Sequence, residues 1–192
     1  MGREFELKYA ASHPAQAAIR EAYGPWTPFT METTYFDTRD GALSARRITL
    51  RLRKENGVSI CTLKTPLPDG SRGEWECYAE TIEDGIRALI VLGAPKLLAG
   101  LAVQGVQPCC GARFTRLAAQ VSTTDGVAEL ALDSGVLLGG SAEIPLCEVE
   151  LELKSGSEAA AVALAHQIAQ QYQLTEESKS KFRRAMDLAQ GE

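Results

Sequence analysis

The chain lacks an apolar run long enough to cross a membrane. Its longest apolar stretches, residues 88–91 and 97–103, fall far short of the roughly 20 residues a spanning helix needs. It also lacks the apolar segment of an export signal, since Arg3 and Glu4 stand where that segment would lie. The expectation is a cytoplasmic protein with no membrane partner. No C-x-x-C occurs among Cys61, Cys77, Cys109, Cys110 and Cys147, and His13 and His166 lie far from them in sequence. That argues against a zinc site or a disulfide framework and for reduced thiols. Nor is there a basic excess. The net charge of -5 argues against a nucleic-acid partner held by phosphate contacts, while leaving room for a local basic cavity. No solenoid-length repeat and no low-complexity segment occur.

What is present suits one globular domain over residues 1–192, with 45% hydrophobic and 23% charged residues and enough length to bury its own core. Alternation at a period of two dominates. Glu4, Glu6 and Lys8 share one face of a first strand, against Phe5, Leu7 and Tyr9. A short helix over residues 14–22, with Ser12 as its cap, precedes a strand over 31–37. Residues 47–53 set Arg47, Thr49, Arg51 and Arg53 against Ile48, Leu50 and Leu52. Asn56-Gly57 signals a hairpin into 58–64, where Thr62 and Lys64 share a face. Over 72–80, Arg72, Glu74, Glu76 and Tyr78 oppose Trp75 and Cys77. Residues 81–103 read as two short helices broken at 93–95. Strands resume over 110–121, 127–133 and 145–154, with an Asp125-Gly126 turn. Helices over 157–172 and 175–189 close the chain.

The charged faces are sorted by strand. Arg51, Arg53 and Lys64 are basic; Glu129 and Asp133, and Glu148, Glu150 and Glu152, are acidic. In a two-layer sandwich these would be solvated outer faces of mixed sign. Yet a row of glutamates on one face repels itself unless cations sit between them. A closed antiparallel barrel with a charged lumen answers that better. The pattern alone leaves both architectures open.

The motifs resemble those of the CYTH, or triphosphate tunnel metalloenzyme, family. Glu4-x-Glu6-x-Lys8 resembles its E-x-E-x-K signature, and Tyr35-Phe36-Asp37-Thr38 its second-strand motif. Arg51-Leu52-Arg53 and Thr62-Leu63-Lys64 resemble its R-x-R and T-x-K strands. Leu132-Asp133-Ser134-Gly135, then Glu148-Val149-Glu150-Leu151-Glu152, then Ser180-Lys181-Phe182 follow in the expected order. Together they span nearly the whole chain. The resemblance implies an α+β fold: a closed eight-stranded antiparallel β tunnel barrel with a charged lumen and helices covering the outside.

It also implies a linear triphosphate bound inside. Lys8, Arg51, Arg53, Lys64, Arg116 and Lys181 would supply the cations such a polyanion needs, with Glu74 beside them. Glu4, Glu6, Glu148, Glu150 and Asp133 would hold Mg²⁺ or Mn²⁺, whose preference is for oxygen ligands. Glu4, Glu6, Lys8, Glu129 and Asp133 are the catalytic candidates, with Glu129 and Asp133 placed for a second metal or for orienting water. Arg113 and Arg116 have opposite strand parity, so both enter the lumen only across a bulge. Phe114-x-Arg116 matches the family pattern better, with Arg113 kept as a candidate substrate ligand. Glu76 reads equally as a rim residue or a lumen residue, and Lys179 and Arg184 as surface or mouth charges. His13 and His166 read as structural or exposed, and Trp26 and Trp75 as packing residues.

The leading reaction is metal-dependent hydrolysis of inorganic triphosphate to pyrophosphate and phosphate, by a monomer or homodimer. The alternatives are hydrolysis of thiamine triphosphate or a nucleoside triphosphate, ATP cyclisation as in class IV adenylyl cyclases, and a non-catalytic polyphosphate-binding module.

Overall fold

In a computed structural model, residues 2–3, 5–67 and 72–191 are described. Glu4 therefore lies outside the described residues. Among the described residues, ten strand segments and five α-helices form an α+β structure around one antiparallel sheet. The strands are β1 (Gly2–Arg3), β2 (Glu6–Ala10), β3 (Thr27–Asp37), β4 (Thr49–Glu55), β5 (Val58–Pro66), β6 (Arg72–Tyr78), β7 (Gln107–Ser122), β8 (Val127–Gly139), β9 (Ala142–Ser155) and β10 (Thr175–Glu176). The helices are α1 (His13–Ala22), α2 (Ile82–Val91), α3 (Leu97–Val103), α4 (Glu158–Tyr172) and α5 (Lys181–Gln190). None of the described helices is long and apolar enough to cross a membrane.

The strand order β1-β6-β5-β4-β3-β7-β8-β9-β2-β10 has two ends, which corrects the expectation of a closed eight-stranded barrel. The sheet nevertheless comes round on itself through the N-terminal chain. Gly2 and Arg3 pair with Glu74 and Gly73 of β6, while Glu6 to Ala10 pair with β9. Arg3 and Glu6 are three residues apart, so the chain can hold those two edges no more than about 11 Å apart. The ring is joined by covalent chain, not by a hydrogen-bonded ladder. One segment dividing its pairing between two neighbours leaves no β2–β6 ladder, and nothing in its alternation could announce that.

Apolar outer faces then need cover, and helices supply it. Leu50, Leu63 and Trp75 of β4–β6 pack beneath Ile82, Ile86, Leu89 and Leu98 of α2 and α3. Tyr9, Leu130, Leu132, Val149 and Leu151 pack beneath Ile19 of α1 and Ala161, Ala165 and Ile168 of α4. Each fully buried Leu or Ile stabilises by about 1.5–3 kcal/mol. Capping fixes where the helices start: Ser12 Oγ accepts from Ala15 N at 3.2 Å, and Ser157 Oγ from Ala160 N at 3.2 Å. Gln16 of α1, also buried, donates to the backbone oxygens of Asp133 and Glu148 at 2.9 and 2.8 Å, pinning the helix across β8 and β9.

The last helix departs from expectation twice. It begins at Lys181, not at 175, because Ser180 caps it, its Oγ accepting from Arg183 N at 3.1 Å; residues 175–176 form β10. And α5 lies inside the curl, not outside it. Ala185 packs with Met31, Ala112, Phe114, Leu137 and Leu146, all on the inner face. Gly139 permits this, since a Cβ there would sit 2.5 Å from Ala189 N and 2.6 Å from Ala185 O.

Candidate functional site: a charged cavity inside the curled sheet

The inner faces of the strands and the start of α5 enclose a cavity of about 540 Å³. Alternation decides its lining: one residue in two along each strand points in. Eight lysines and arginines line it against seven glutamates, so it is densely charged and nearly neutral among the described residues. Glu6, Lys8, Arg51, Arg53, Lys64 and Glu74 all face it, as the motifs led one to expect. So do Glu129, Glu150, Arg116 and Lys181.

Its basic side comes from β4–β6. Lys64 Nζ lies 3.4 Å from Glu74, and Arg53 lies 3.6 Å from Glu76 and 3.2 Å from Glu55. Arg51 lies 4.0 Å from both Glu74 and Glu76. Thr62 Oγ1 donates to Glu76 at 2.8 Å, which makes Glu76 a cavity residue. Burial, then the nearby Arg51, holds the Arg53 guanidinium below its usual pKa.

The acidic side gathers around Lys181. Its ammonium lies 2.8 Å from Asp133, 2.6 Å from Glu148 and 2.5 Å from Glu150. Arg116 makes a bidentate pair with Asp133 at 2.8 and 2.7 Å and also reaches Glu150. Burial opposes the charge on each partner, and the mutual attraction outweighs it. The Glu150 carboxyl is therefore held well below the usual range by Lys181 and Arg116, while Lys181 and Arg116 are raised. Lys8 is lowered, chiefly by burial, with Glu6 and Glu150 opposing that shift.

Two expectations change here. Arg113 lies outside the cavity, exposed and paired with Glu143 at 2.7 Å. The β7 register runs unbroken past it, so only the parity of Arg116 points inward. Arg184 is not a mouth charge: it is half-buried, pairs with fully buried Glu148 and lies 3.5 Å from Glu177. Its place three residues after Lys181, on one helical face, was the available signal. Lys179, by contrast, is exposed and lies 2.8 Å from Asp187. Tyr35 and Arg72 also line the cavity, and sequence reasoning had not singled them out as ligands. Tyr35 packs against Phe182 of α5 in a tilted ring pair, with centroids 5.1 Å apart and planes at 48°.

Carboxylate oxygens of Asp133, Glu148 and Glu150 lie within 4.8 Å of one another. An all-oxygen donor set suits a hard divalent cation. Fully buried Glu148 Oε2 touches Lys181 but has no hydrogen-bond partner, so it keeps lone-pair capacity for a metal. The set fits such an ion, provided Lys181 shares these carboxylates with it.

A curled antiparallel sheet whose inward residues form a charged cavity, with a lysine-bearing helix turned into it, defines a class. The chain belongs to the CYTH domain family, whose model matches residues 2–186. It is 28% identical to an inorganic triphosphatase of Haemophilus influenzae over 82% of its own length, and it spans about half (47%) of that relative. Solved structures share the fold. A Hippeastrum protein named for adenylyl cyclase, with a dominant triphosphatase activity, matches with a TM-score of 0.67 at 19% identity, covering 98% of this chain and 96% of that one. A Pyrococcus horikoshii protein matches at 0.64 and 19%, covering 97% and 99%.

Proposed function

We propose that this protein is a cytoplasmic, metal-dependent hydrolase of inorganic triphosphate. The observation that carries the reading is the near-neutral cavity dense in cations. Its lysines and arginines offer many donors for phosphoryl oxygens, yet their charge is already matched by glutamates. A bare polyanion would leave the cavity strongly negative, so entry together with Mg²⁺ or Mn²⁺ suits it. Glu6 and Glu150, which face the cavity, would hold the metal, with Asp133 and Glu148 behind them; Glu4 joins Glu6 in this assignment. When bound, the ion supplies charge neutralisation across the phosphoryl oxygens and lowers the pKa of water.

The chain's own groups do the rest. Arg51, Arg53 and Lys64 grip one part of the triphosphate, and Lys8, Arg116 and Lys181 the other, fixing it for in-line attack. Glu129, inside the cavity, accepts a proton from the attacking water, while buried Asp133 orients Arg116 and Lys181. Catalysis is then chiefly positioning and electrostatic stabilisation. A second reading, an organic triphosphate, is favoured by Phe29, Met31 and Ala118, an apolar strip on the cavity wall. Phosphate release from inorganic triphosphate, ATP and thiamine triphosphate with Mg²⁺ or Mn²⁺ separates the two, with cyclic AMP scored in the ATP reaction. Preference for the inorganic compound, lost in Glu6→Gln, is expected. Cyclic AMP with pyrophosphate from ATP would make the protein a cyclase. Tight triphosphate binding without turnover of any compound would make it a binding module.

A further inference from the structure

A β-bulge near the start of β7 sets two thiols side by side. Tyr35 pairs with Cys110 and Phe36 with Pro108, so Cys109 is the extra residue on that strand. A bulge breaks the up-down alternation, letting successive side chains lean the same way. Cys109 Sγ lies 3.3 Å from Tyr35 O, and Cys110 Sγ lies 3.9 Å from Phe182 O. Both residues are half-buried, and neither is in a disulfide. The neighbouring Cys110 thiol holds the Cys109 thiol below its usual pKa, while Cys109 and burial push Cys110 up. A direct bond between them is disfavoured. Adjacent Cα atoms are only about 3.8 Å apart, whereas ordinary disulfides need roughly 4.4–6.8 Å. A third atom bridging the sulfurs removes that mismatch.

We propose that Cys109 and Cys110 form a two-sulfur site for a thiophilic trivalent centre of the arsenical class. In the reaction, an organoarsenic(III) oxide and two thiols give one dithioarsonite and one water. Two As–S bonds form, the As=O bond breaks, its oxygen leaves as water with both thiol protons, and arsenic stays trivalent. The other close pair, Cys61 and Cys77 on adjacent strands, is the internal control. Cys61 is fully buried beneath α2, and burial pushes its thiol up to about 12.

The test treats the intact protein with phenylarsine oxide and reads mass and free thiols. One adduct per chain is expected, with two thiols lost, reversed by a small 1,2-dithiol and resistant to excess monothiol. Cys109→Ser and Cys110→Ser should each weaken retention at least tenfold, and Cys61→Ser should leave it unchanged. Cys109→Ala and Cys110→Ala, checked by circular dichroism, guard against a folding defect. An adduct that survives these variants, maps to Cys61 and Cys77, or washes out with monothiol would overturn the proposal. None of these readouts depends on triphosphate turnover, so failure of the hydrolase reading would leave the result intact.

Discussion

Replacing Lys181 with Met tests the electrostatic centre of the molecule directly. The side chain is 10% exposed and contacts three carboxylates that are themselves 0–8% exposed, so solvent screening offsets little of its effect. Removing one member of a buried ion network costs about 3–5 kcal/mol, here tempered by Arg116 and Arg184, which stay on Asp133, Glu150 and Glu148. For a chain of this size that corresponds to a fall in Tm of about 6–20 °C. The gap should also depend on pH. With its folded pKa depressed, Glu150 stabilises the wild type above the ordinary carboxylate pKa of about 4.3. That contribution is lost as pH falls toward the folded value. Lys181, raised, contributes below about 10.4 and loses its contribution above that. The gap between wild type and Lys181→Met should therefore be flat from about pH 5 to 10 and narrow progressively below about pH 4, as the unfolded chain takes up a proton that folded Glu150 resists. Urea unfolding at pH 7 and pH 3.5 measures it. A gap under about 1 kcal/mol at neutral pH, or one unchanged in acid, would refute the reasoning.

Arg116→Ala should cut triphosphate turnover by about 10²-fold or more, while Arg113→Ala stays within about twofold; steady-state kinetics on the two side by side decides whether the inward parity matters. Gln16→Leu leaves the backbone oxygens of Asp133 and Glu148 without its amide donor and should cost about 1–3 kcal/mol in chemical denaturation, although the residue does not itself line the cavity. Gly139→Ala forces a methyl against the α5 backbone and should cost about 1–3 kcal/mol. A neutral result there would mean that α5 can shift on the sheet.

Much of the site was legible because a strand's period of two leaves little freedom: once Ile48, Leu50 and Leu52 face the core, Arg51 and Arg53 must face the other way. The same logic put Glu6, Lys8, Lys64, Glu74 and Glu150 on the charged faces of their strands; that those faces line a cavity, and that Arg116 rather than Arg113 enters it, came from the family resemblance. It could not place Arg184, because a charge on a helix can face solvent or a buried partner. Which applied depended on α5 turning inward, a choice made by Gly139 and by carboxylates on two distant strands. Ring closure was also illegible. Alternation shows which face of a strand is buried, while its neighbours are set by tertiary pairing; hence β1 and β2 sit on different partners.

That shared N-terminal segment has a consequence for how the molecule is made. Its partners in β9 lie far along the chain, Lys8 pairing with Glu150, so the residues that bring Glu6 and Lys8 to the cavity have nowhere to pair until β9 has been synthesised. Such distant pairing is slow and leaves a strand edge open in the meantime. The nascent protein can bury Leu50 and Leu63 beneath α2 early, but its cavity is completed only when the first strand finds one of the last.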